Sequence, residues 1–175
     1  MPVVAQILFA LALFASAPLI LAADTLPEPD PLHQIRAEHV MISTGDYDGT
    51  VAWYQSVLGF EVVHQWTVPD LPGLKLGYMA RNGFVIEVVE TPSDQANQSR
   101  PGTLAEALND RGFGHLAFLV ADVDAVHEAL VGKGVDVLVP PTSFPDSGRR
   151  LTFVFDNNGN LLEFLTPLDA YQGAD

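Results

Sequence analysis

At 175 residues, 48% of them hydrophobic, the chain is long enough for one globular domain or two small modules. Its 22 Asp and Glu outweigh 8 Lys and Arg to give a net charge of −14, which argues against a nucleic-acid-binding face; only Arg149 and Arg150 stand together, as a strand end or an anionic-substrate contact. The absence of Cys rules out disulfides, thiolate ligands and a Cys nucleophile.

Residues 1–23 carry no charged side chain and end in Ala22-Ala23, ahead of an acidic, proline-rich entry segment at 24–34. An apolar stretch closing on small residues reads as an export signal, cleaved so that the mature chain begins near Asp24. The alternative is an uncleaved membrane anchor, since about 20 apolar residues span a bilayer. Either reading places the folded part outside the cytoplasm, in the periplasm or secreted.

Residues 35–90 read as a first module of strand, helix and three strands. The first strand is expected at 39–43. Asp46 or Asp48 caps a helix running to a stop at Gly59, and strands follow at 60–66, 74–80 and 84–90. Residues 91–112 form a polar linker in which 103–110 adds a short helix. A second module at 113–167 repeats the order: a strand at 115–120, a helix from about Val123 to Val131 stopped by Gly132 or Gly134, and strands at 135–140, 150–156 and 161–165. Residues 168–175 are a tail.

The resemblance between the modules extends to single residues. NGFVIEVVETP at 82–92 returns as NGNLLEFLTP at 158–167, and the same offset of 76 lays EHVMISTGDYD at 38–48 on GHLAFLVADVD at 114–124. His39 falls on His115, Asp46 on Asp122 and Glu87 on Glu163, so that 48 positions separate histidine from glutamate in both halves. An internal duplication accounts for this. His33, His64 and His127 have no counterpart and read as surface or structural residues, while Trp66, Tyr78 and Phe153 could line the cleft but read first as core packing.

Alternation assigns the faces. Val85, Glu87 and Val89 share one side of their strand and Phe84, Ile86 and Val88 the other. If the helix covers the Ile86 side, both glutamates open onto a cleft, and His39 and His115 can face it too. A carboxylate buried without a partner costs several kcal/mol, so such groups are paired, protonated or metal-bound. Two imidazoles and two carboxylates make an N2O2 set suited to divalent Ni, Zn, Co, Mn or Fe. The metal ligands expected are therefore His39, Glu87, His115 and Glu163.

On HVMISTGDYDGTVAWYQSVLGFEVV, FGHLAFLVADVDAV and FVFDNNGNLLEFL, the chain resembles the vicinal oxygen chelate superfamily, and within it glyoxalase I-like proteins, over roughly residues 36–167. That resemblance implies an α+β fold of two tandem βαβββ modules forming a curved sheet around a metal-binding cleft, with the ligands at the same four positions. The filled His/Glu/His/Glu pattern is similar to bacterial glyoxalase I, a metal-dependent lyase that isomerises the hemithioacetal of glutathione and methylglyoxal through an enediolate. It implies Glu163, and after it Glu87, as the catalytic proton carriers, a small-molecule substrate and a homodimer. Arg36 lies near a position the family uses to contact glutathione. The other readings are a different enzyme of the superfamily, an epimerase or Fe(II) dioxygenase, or a non-catalytic binding or resistance protein.

Overall fold

The computed structural model describes Leu32 and residues 35–91, 100–109 and 111–168. The export signal or anchor expected at 1–23, His33, and all of the tail but Leu168 lie outside the described residues. Among those described, no helix is long and apolar enough to cross a membrane. The chain divides into two units, residues 1–36 and 37–175. The second contains all the strands that follow.

The first module runs β1 (His39–Thr44), α1 (Tyr47–Leu58), β2 (Glu61–Thr67), β3 (Lys75–Arg81) and β4 (Phe84–Glu90). Asp46 is the cap of α1, accepting from the Gly49 N–H, and Gly59 stops the helix in the left-handed region at φ 68°. Asn82 and Gly83, at φ 50° and 80°, make the tight turn between β3 and β4, where positive φ at both central residues matches the strand twist. The sheet order is β1-β4-β3-β2, with β1 parallel to β4 and the other pairs antiparallel.

After a linker carrying the one-turn α2 (Leu104–Ala107), the second module repeats the plan. It comprises β5 (Leu116–Leu119), α3 (Val123–Gly132), β6 (Val137–Phe144), β7 (Arg149–Phe155) and β8 (Leu161–Pro167), in sheet order β5-β8-β7-β6. Asp122 caps α3 by accepting from the Asp124 and Ala125 N–H groups. β5 is shorter than the sequence suggests and leaves His115 just outside it, after Gly112 and Gly114. β6 is longer and runs through Pro140 and Pro141. It can do so because it is an edge strand, where a missing N–H need not interrupt a ladder, and its register shifts absorb the irregularity.

One apolar core serves both modules. It holds Tyr54 and Leu58 of α1, Ile86 and Val88 of β4, Leu130 of α3, and Leu162 and Phe164 of β8. Phe118 of β5 stacks on Phe164 and meets Phe84 edge-on, so the ring contacts cross from one sheet to the other. The helices cover the Ile86 and Leu162 faces. The Glu87 and Glu163 faces are consequently turned away from the shared core.

Candidate functional site

The first and last strands of each module lie side by side, and their register sets the site. Parallel pairing of β1 with β4 places His39 beside Val85 and Met41 beside Glu87; in the second sheet Ala117 lies beside Glu163. His39 thus reaches Glu87 from the adjoining row, with Nε2 3.4 Å from Oε2. His115 Nε2 lies 2.8 Å from Glu163 Oε2. The histidines are partly exposed, whereas the glutamate side chains are only 15% and 10% exposed.

Each histidine therefore pairs with the glutamate of its own module. The four residues do not converge. Among the described residues no group of three or more His, Cys, Asp or Glu side chains is placed to hold a metal ion. The cause lies in the fold: each glutamate face points away from the core the two sheets share. One chain presents two half-sites, each with one imidazole nitrogen and one carboxylate. In donor chemistry they fit a divalent transition metal, for which the two halves together would supply two imidazole nitrogens and two carboxylates.

Glu38 adds to the first half-site. Its carboxylate contacts His39 Nδ1, which directs Nε2 toward Glu87, the arrangement by which an outer carboxylate fixes the tautomer and orientation of a ligating imidazole. Its counterpart under the repeat is Gly114, so the duplication pattern carries no signal for it. A carboxylate immediately before the strand histidine was the available clue.

The two halves are locked by a polar cluster absent from the sequence reading. Asp156, 1% exposed, accepts from Asn158 N, Asn160 N, Asn160 Nδ2 and the Tyr54 hydroxyl, each at 2.8 Å. A buried carboxylate with four donors is satisfied without a counter-cation. Burial, reinforced by the Asp156 charge and hydrogen bond, pushes the Tyr54 hydroxyl pKa far above its ordinary value. Arg150 forms a bidentate pair with Asp124, at 2.7 and 2.6 Å, and this hydrogen bonding holds the Asp124 carboxyl below the usual range. Arg149 opens β7, so the arginine pair does mark a strand end. Arg36 is exposed, and His127 Nδ1 lies 3.3 Å from Thr152 Oγ1, a structural contact.

Two βαβββ modules, each setting a histidine at or just before its first strand beside a glutamate of its last, define an α+β class of protein built by duplication. The chain belongs to the Glyoxalase/Bleomycin resistance protein/Dioxygenase superfamily, whose sequence profile matches residues 36–164. It is 33% identical over 118 residues to the uncharacterized protein YwkD of Bacillus subtilis, covering 67% of this chain and 86% of that one. It is 28% identical over 147 residues to the lactoylglutathione lyase GLX1 of Arabidopsis thaliana, covering 82% of this chain but 48% of the plant lyase, of which it spans about half. The crystal structure of a glyoxalase family protein from Enterococcus faecalis matches with a TM-score of 0.61 at 27% identity, over 74% of this chain and 96% of that one.

Proposed function

We propose that the protein is a divalent-metal-dependent lyase or isomerase of the glyoxalase I type, acting on a small substrate with oxygens on adjacent carbons. The observation that carries this reading is the pair of His–Glu contacts at duplicated positions, His39 with Glu87 and His115 with Glu163. These four residues would hold the metal, and a bound divalent cation would supply Lewis acidity toward the two substrate oxygens. The halves meet when a second copy docks, the first half-site of one chain facing the second half-site of the other. Edge strands β1 and β5 are suited to that contact, since Met41 and Leu119 stand 55% and 72% exposed on the glutamate faces.

Glu163 is the proton carrier in this reading. It is the more buried of the two glutamates and shares its sheet face with the buried Phe153 and the half-buried Leu165. With its carboxylate free as a base near the acidic C–H, Glu163 would take that proton and return it to the neighbouring carbon. Glu87 occupies the same position on the opposite half and is the second candidate.

The test is metal titration of the chelator-stripped protein, followed by an assay of the hemithioacetal of methylglyoxal and glutathione. About one metal per chain and metal-dependent turnover are expected, one site per pair of modules. If His115→Ala retains stoichiometric metal with unchanged affinity, the ligand assignment is wrong. If metal binds without turnover, solvent deuterium exchange into other α-hydroxycarbonyl compounds decides whether the proton-transfer chemistry stands.

A further inference from the structure

The duplication supplies an internal control for which residues serve the scaffold and which serve the ligand. Across the first sheet the row through Glu87 runs His64, Tyr78, Glu87, Met41. Across the second the row through Glu163 runs Val139, Phe153, Glu163, Ala117. The glutamate is constant and its neighbours have diverged. In the second sheet the row is closed at its centre, though Ala117 at its edge is exposed: Phe153 is 5% exposed, and the linker helix α2 packs on the same apolar cluster through Leu104 and Ala107. In the first sheet it is open, with His64 exposed and Trp66 and Tyr78 half-buried.

Beside the open row, Trp66 and His39 join His64 and Tyr78 in a ladder of rings. His64 stacks on Trp66 with centroids 5.1 Å apart and planes at 22°, Trp66 lies 4.8 Å from Tyr78, and Tyr78 lies 5.6 Å from His39. The geometry points to His64, Trp66 and Tyr78 as the specificity-determining wall of the site, which selects a planar aryl or conjugated group on the carbon next to the two substrate oxygens. This rests on the proposed role of His39 and Glu87 as ligands, because that role fixes where the oxygens sit. The ladder ends on His39, so a ring attached to the chelating atoms extends along it toward Trp66. A planar substituent gains offset-stacked contact there that a methyl group lacks. The polar edges of His64 and Tyr78 suit a small ligand with its own polar atoms better than an apolar protein surface.

The test uses metal-loaded protein carrying Trp53→Phe, which leaves Trp66 the only one of the chain's 2 tryptophans. Its probes are benzohydroxamate and acetohydroxamate, which chelate through the same two oxygens and differ only in phenyl against methyl. Benzohydroxamate is expected to bind about tenfold more tightly and to quench Trp66 emission. Trp66→Leu, which keeps apolar bulk and removes the ring, should reduce that preference to about threefold or less while leaving acetohydroxamate affinity unchanged; Tyr78→Leu is the second variant should Trp66→Leu fail to fold. Equal affinity for the two hydroxamates, or a preference that survives loss of the ring, overturns the wall and leaves the metal site standing. Failure of both hydroxamates to bind overturns the wall and the metal site together. Emission insensitive to ligand but shifting as the protein is diluted shows a second copy covering the rings, and overturns the wall as well.

Discussion

Glu163 lies 2.8 Å from His115 Nε2 with its side chain 10% exposed, and Gln in its place would keep an oxygen donor while removing the base. Glu163→Gln is therefore expected to retain metal and to lose about 10²-fold or more in turnover, the usual scale of general-base catalysis. An undiminished rate would transfer the role to Glu87. The Tyr54–Asp156 contact makes a second prediction, on stability. Tyr54→Phe leaves the Asp156 carboxylate one donor short and should cost about 1.5–3 kcal/mol at neutral pH, the range for hydrogen bonds to charged groups. Because the folded hydroxyl pKa is raised, this stability is fully present below about pH 10, where the unfolded tyrosine begins to ionise. Above it the unfolded chain loses a proton that the folded chain keeps, so stability falls. Urea midpoints of the two proteins should converge as pH rises past about 10, and a constant gap would contradict the assignment. The four His and Glu positions were legible because the repeat wrote them twice. Asp156 was not, since its partner Tyr54 is 102 positions away and nothing local distinguishes a buried turn aspartate from an exposed one.

At the scale of elements, the caps and turns carry most of what the sequence discloses. Asp46, Asp122, Gly59 and Asn82-Gly83 each have one well-defined local use, and each is found in it. Asp122→Ala removes acceptance from two N–H groups at the start of α3 and should lower stability by about 1 kcal/mol, measured as a denaturant-midpoint shift with unchanged slope. A change within error would mean that water replaces the cap. Strand ends were less legible because tertiary position decides them. Pro140 and Pro141 suggest an end to β6, yet an edge strand tolerates both; glycines before His115 leave β5 short although its first residues alternate well. Neither outcome follows from local preference. Which strand stands at an edge, and which face the helix covers, are settled only when the two modules pack together.

For the whole molecule, the decisive fact is that helix-covered faces are shared while glutamate faces are not. A single chain of this construction holds its half-sites apart, and a two-fold pair can join them twice, each site taking His39 and Glu87 from one chain and His115 and Glu163 from the other. Complementation tests this directly. A chain with His39→Ala still offers an intact second half-site, and a chain with His115→Ala an intact first one. Each variant alone should bind metal weakly and turn over little. Mixed after dissociation and allowed to reassemble at random, about half of the pairs are mixed, and each mixed pair has one intact site of its two. Metal binding and turnover should therefore recover to about a quarter of the wild-type level, with sedimentation showing pairs of chains throughout. If instead the modules of one chain close on each other to make the site, every chain in the mixture carries one damaged ligand and nothing is recovered. Failure to complement, with pairing confirmed, would place the metal within the single chain and require the shared core to open.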